Sequence, residues 1–225
     1  AGPVTLLTLG GLMLRTQSGG GALALLLLQG AIAAFLLYRR QRGGMLEKIL
    51  LEQTVTTVFE PIVALASNAV LGYEALSRGP SGTGLETPMA LFGTAELFDR
   101  EYELDSLCRR RALSNARGIA SDQLLFLNIL PTCIQDPDFQ AAHVRETLAE
   151  LGLGPRNLVL EISERQAISN FPIFREAIDH FSGLGFRIAL DDTGSGFSSL
   201  EAALELQPDF LKIDIEGGEY DLLER

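Results

Sequence analysis

The chain has 225 residues, 47% of them hydrophobic, and carries 29 acidic against 18 basic residues for a net charge of −11. That length gives one substantial core plus an accessory segment. From Met45 onward the balance is 14 basic to 29 acidic residues, a net −15, which argues against a nucleic-acid polymer as partner because polyanions are repelled at long range.

Along the chain, residues 4–14 are apolar but too short to span a bilayer, whereas residues 22–38 form an uncharged, mostly apolar run. As a helix this run is about 25 Å long, close to the hydrocarbon thickness. Arg39, Arg40 and Arg42 follow at once, and the positive-inside tendency places what comes after them in the cytoplasm. Residues 1–44 therefore read as a membrane anchor with a transmembrane helix at about 22–38, set in the inner (cytoplasmic) membrane. A basic cluster that follows the apolar run disfavours a signal peptide. The chain begins with Ala1 rather than methionine, and an upstream part of a longer protein is expected. Gly43-Gly44 breaks the pattern, and residues 45–57 read as a linker helix.

Residues 58–225 read as one α/β domain. Short apolar runs at 70–76, 124–128, 158–161, 188–192 and 210–214 alternate with segments of helical period at 89–97, 104–117, 139–151, 171–184 and 198–206. Ser198 and Glu201 have the spacing of a capping box, and Gly152, Gly154, Gly183 and Gly185 stand where helices stop. Each strand-like run carries a polar residue at its trailing end: Glu74, Asn128, Glu161, Asp191 with Asp192, and Lys212. In a parallel sheet or barrel these ends share one rim. Four carboxylates gathered there repel by roughly 1 to 4 kcal/mol per pair at 4 Å, which Lys212 alone cannot balance and one or two divalent cations can. Oxygen donors favour magnesium, manganese or calcium over zinc. His143 and His180 lie in helical segments and read as structural. Cys108 and Cys133, with no CxxC, read as inert thiols suited to a reducing compartment.

Five motifs in order across residues 59–214 carry a resemblance: Glu74-Ala75-Leu76 ahead of Ser77-Arg78, Leu127-Asn128-Ile129, Leu160-Glu161-Ile162-Ser163-Glu164, Asp191-Asp192-Thr193-Gly194-Ser195-Gly196-Phe197, and Leu211-Lys212-Ile213-Asp214. The chain resembles the EAL-domain phosphodiesterases. The resemblance implies a TIM-like (β/α) barrel that hydrolyses cyclic di-GMP to linear pGpG with Mg2+ or Mn2+, one or two ions, and pairs as a homodimer. By motif position it implies Glu74, Asn128, Glu161 and Asp191 as metal ligands, with Asp192 on a second metal or its water. Lys212 is placed on the attacking water or a phosphate oxygen, and Glu74 and Asp192 count with it as catalytic. Leu76 and Arg78 are placed at the substrate, and Glu164 as a brace for the loop after Asp191. Thr193 departs from the family's usual aromatic residue. The family continues beyond Lys212 through two further β/α units with another glutamate and a glutamine, so the barrel is expected to be incomplete at its C-terminal end.

Three functions compete at this point. The first is a membrane-tethered cyclic di-GMP phosphodiesterase. The second is a catalytically inactive receptor or regulatory module that binds cyclic di-GMP in a shortened barrel. The third is an aldolase-like barrel with Lys212 as a Schiff-base lysine.

Overall fold

The computed structural model describes residues 5–9, 12–16, 19–130, 139, 141–163, 171–193 and 205–213. Two compact units are present, Ala1–Glu47 and Lys48–Arg225.

In the first unit, strands β1 (Thr5–Leu9) and β2 (Leu12–Thr16) pair antiparallel. Helix α1 (Gly19–Glu52) begins in this unit, ends past Glu47 and is long and apolar enough to cross a membrane. Leu23, Leu27 and Leu37 are each about 60% exposed on it. The helix passes through Gly43-Gly44, which corrects the expected break there, and it ends at Glu52 rather than at 57. Two glycines cost about 2 kcal/mol together. Strong helix formers on both sides, Arg39 to Arg42 and Met45 to Leu51, keep propagation cheaper than a second nucleation.

The second unit is a six-stranded sheet in the order β3 (Thr56–Ala64), β4 (Ala69–Arg78), β5 (Leu124–Asn128), β6 (Leu158–Ser163), β7 (Arg187–Thr193), β8 (Phe210–Ile213). Strands β4 to β8 run parallel, as their alternation with helices requires, and β3 is antiparallel to β4. The β3–β4 connection is too short for a crossover, and it turns through Asn68 at φ 53°, a conformation asparagine tolerates. Helices α2 (Pro88–Leu97) and α3 (Glu101–Asn115) separate β4 from β5, α4 (Ala141–Glu150) separates β5 from β6, and α5 (Phe171–Gly183) separates β6 from β7. These fall within three residues of the sequence reading. The expected helix at 198–206, with its Ser198–Glu201 box, lies outside the described residues except for Glu205 and Leu206. Of the four glycines read as helix stops, Gly152 and Gly185 adopt the left-handed conformation, at φ 75° and 89°. Gly154 instead sits at φ −112°, leading into a 3-10 turn.

Strand alternation gives the sheet two different faces. Leu125, Leu127, Leu158, Leu160, Ile162, Ile188 and Leu190 face the helices and form the main core with Val144 and Leu148 of α4 and Phe174, Ala177, Ile178 and Phe181 of α5. Burying each large side chain contributes about 1.5–3 kcal/mol. On the opposite face Leu124, Phe126, Val159 and Ala189 make a smaller apolar layer, backed by Ile62 and Phe210. Phe126 and Phe210 meet edge to face at 5.4 Å.

Candidate active site

The small apolar layer determines where the polar residues stand. With a period of two, the residue two places after each layer member points to the same face. Phe126 leads to Asn128, Val159 to Glu161, Ala189 to Asp191 and Phe210 to Lys212. Gly72 precedes Glu74 in the same way, and β4 pairs Glu74 with Phe126. An apolar floor with one polar layer on it, at the carboxyl ends of five parallel strands, follows from sequence and register alone.

The polar layer closes on itself. The Lys212 ammonium lies 3.1 Å from Glu74 Oε2, 2.8 Å from Glu161 Oε1 and 3.0 Å from Asp191 Oδ2. The Asn128 amide nitrogen donates to Glu161 Oε2 at 3.1 Å and to Glu74 Oε1 at 3.3 Å. Glu161 is 1% exposed. Burial, then the neighbouring carboxylate of Glu74, push its carboxyl up to about 8 against the pull of Lys212, with Asp191 adding to the rise. Burial alone would lower the Lys212 ammonium, but Glu161, Glu74 and Asp191 outweigh it and hold the group above its ordinary value.

The donor set fits a hard divalent cation. One carboxylate oxygen from each of Glu74, Glu161 and Asp191 falls within 4.8 Å of the others, and opposite ligands of one octahedral magnesium ion stand about 4.2 Å apart. Adjacent ligands stand closer still, at about 3 Å, so an ion there would draw the three carboxylates together. Asn128 turns its nitrogen toward the carboxylates, and rotating the amide by half a turn presents Oδ1 as a fourth oxygen.

Beside the cluster lies a cavity of about 500 Å³. Its lining includes Glu74, Asn128, Glu161 and Asp191 together with the apolar Leu76, Pro88, Met89, Phe92, Ile129 and Leu130. Helix α2 supplies Pro88, Met89 and Phe92 from its N-terminal end, which Thr87 caps, its hydroxyl accepting from the Ala90 amide at 3.2 Å, with Pro88 at the first position. A wider groove of about 640 Å³ runs past Ser114, Arg117, His143 and Glu150 on α3, α4 and the segment after α3, and among the described residues it has no carboxylate cluster.

The structure thus brings together Glu74, Asn128, Glu161, Asp191 and Lys212, and it puts Leu76 in the cavity wall. Arg78 shares the Glu74 face of β4, where its guanidinium lies 3.6 Å from Glu60 and donates to the Ser77 carbonyl at 3.1 Å. The side chains of Asp192 and Thr193, and all of Glu164 and Cys133, lie outside the described residues. Buried Cys108 has its thiol pushed up to about 11 by burial, in keeping with an inert group. The sequence reading missed Glu60, which β3 places directly across from Glu74. The hairpin-length spacing between β3 and β4 is the signal that would have found it. It also missed Met89 and Phe92 of the cavity wall, whose helical period alone reads as core.

Comparison with known proteins adds four findings. The EAL domain family model matches residues 44–216. A probable cyclic di-GMP phosphodiesterase of Escherichia coli, PdeI, is 31% identical over 166 residues, covering 70% of this chain and 21% of the relative. The Klebsiella pneumoniae BlrP1 calcium/cyclic di-GMP complex matches with a TM-score of 0.59 at 27% identity, over 72% of this chain and 41% of that one. The Xanthomonas citri FimX EAL domain, in complex with cyclic di-GMP, matches with a TM-score of 0.66 over 81% of this chain and 72% of that chain; at 22% identity it speaks for the fold alone. The chain spans between a fifth and two fifths of the length of the curated relatives it matches.

Proposed function

Because the chain belongs to the EAL-domain family, we propose that it is a membrane-tethered phosphodiesterase that opens cyclic di-GMP to linear pGpG with Mg2+ or Mn2+. The observation that carries this reading is the convergence of Glu74, Glu161, Asp191 and Asn128 with Lys212 beside a cavity whose lining also holds the apolar Leu76, Met89 and Phe92. A cyclic dinucleotide offers the same two chemistries, an anionic phosphodiester and flat purines.

In this reading Glu74, Asn128, Glu161 and Asp191 hold the cation, with Asp192 on a second ion or its water. A divalent cation bound there supplies Lewis-acid polarisation of a phosphoryl oxygen and an acidified water. Lys212 stabilises negative charge on the phosphoryl oxygens. Leu76, Met89 and Phe92 receive a base and exclude water around it. Arg78 pairs with the second phosphate or a base edge, since guanidinium forks match both, and Glu164 braces the loop after Asp191. Helix α1 anchors the chain in the inner membrane, with Arg39, Arg40 and Arg42 at the cytoplasmic face. Residues 1–44 form that anchor, the segment to residue 57 is the link, and the EAL domain follows and pairs as a homodimer, which sedimentation of detergent-solubilised protein checks.

The test is turnover of cyclic di-GMP by the full chain with manganese. The expected result is pGpG that vanishes with chelator and falls at least about 100-fold in Glu161→Gln, the scale of losing a transition-state electrostatic contact. Folded protein that binds cyclic di-GMP and forms no product would replace this reading with a receptor.

A further inference from the structure

We propose that Lys212 is an internal counter-ion that competes with the divalent cation for the same three carboxylates, so that cation entry and release of the Lys212 ammonium are one coupled event. The inference rests on the reading that this cluster holds a cation. It goes beyond that reading by giving Lys212 a second task, set by where its ammonium lies.

Three observations carry it. The ammonium is within 3.1 Å of Glu74, Glu161 and Asp191, the same three residues whose oxygens are close enough to share one ion. The Glu161 side chain is fully buried above an apolar floor, where a carboxylate with no positive partner is strongly unfavourable. Lys212 therefore makes the cluster tolerable to fold without an ion. Lastly, its backbone is held in β8 by pairing with β7, and Phe210 is packed on Phe126, while the four-carbon stem of lysine stays rotatable. The ammonium can leave the carboxylates without the strand moving.

Linkage makes the consequence quantitative. If the cation weakens the hold of the carboxylates on Lys212, then Lys212 weakens cation binding by the same factor. Removing the ammonium must tighten binding of the ion.

Manganese is titrated calorimetrically into the full chain, into Lys212→Met and Lys212→Gln, and into Lys212→Arg, which keeps the charge. Both neutral variants are expected to bind Mn2+ at least about tenfold more tightly than the parent, given the size of a charge–charge contact at this range, and Lys212→Arg within about threefold of it. Thermal unfolding provides a second readout that needs no turnover. In chelator the neutral variants melt below the parent, and Mn2+ raises their melting temperature more than it raises the parent's. Either neutral variant, if folded, decides the matter. Manganese binding that Glu161→Gln removes, but that neutral variants keep at parental strength or weaker, overturns the competition and leaves the cation site standing. No manganese binding by the parent or the neutral variants at millimolar concentration overturns both.

Discussion

Glu161 concentrates the electrostatic conflict of the site in one residue, and pH reads it directly. Its folded value of about 8 lies above the ordinary 4.5, so between those limits the folded chain binds more protons than the unfolded one. The Glu161 contribution to stability without a cation is then fully present near or below pH 4.5 and is lost as pH rises to about 8. Lys212 works in the same sense but outside this window. Its raised value gives stability that is fully present below 10.5 and is lost only above it. In chelator, the melting temperature is expected to drop from pH 5 to pH 8 by about 2–4 °C for each kcal/mol lost. Glu161→Gln, which cannot ionise, should show a flatter profile over the same range. Manganese affinity should run the other way, rising with pH and levelling near 8 as the proton stops competing. A parent profile as flat as that of Glu161→Gln would mean that Glu161 is already ionised at pH 5.

At the scale of elements, the site depends on how closely β4 lies against β5. A Cβ on Gly72 would stand 2.3 Å from the Leu124 carbonyl oxygen, a backbone atom of the neighbouring strand. Gly72→Ala must therefore push β4 away from β5 just two residues before Glu74. The expected cost is about 1–3 kcal/mol, the range for overpacking, together with weaker manganese binding, since Glu74 moves off its partners. Denaturant melts and a manganese titration check both, and Ala at Gly93, which has open space around it, is the control. The same local view explains what was legible in the sequence. The runs at 124–128 and 158–161 could be read as strands because their apolar layers and polar ends follow the two-residue period, and the same period groups Glu74, Asn128, Glu161, Asp191 and Lys212 on one rim. The direction of β3 was not legible, because no period encodes it and only the short turn through Asn68 does. Nor was the pairing of Asp105 with Arg109, both buried in α3, with Arg109 also over the Phe139 ring. In sequence such a pair looks the same as a solvated i,i+4 salt bridge, and only tertiary packing distinguishes them.

At the scale of the whole molecule, charge and hydropathy are segregated. Residues 1–44 carry no acidic residue, and the strongly acidic remainder would be repelled by an anionic lipid surface. The proposed tether is therefore assigned to those first residues, where exposed leucines cover α1 and Arg39, Arg40 and Arg42 follow them. Hydrophobic insertion and electrostatic adsorption make different forecasts. Adsorption through three arginines is worth about 1 kcal/mol each at the surface, and it disappears in about 1 M salt, where the screening length shrinks to about 3 Å. A spanning helix is indifferent to salt. The full chain is expected to stay with the membrane pellet through a 1 M salt wash and to leave it only in detergent, while a chain that starts at Met45 stays in the supernatant throughout. Release of the full chain by salt alone would reduce α1 to a surface contact and remove the tether from the proposed function, with the chemistry of the carboxylate cluster unaffected.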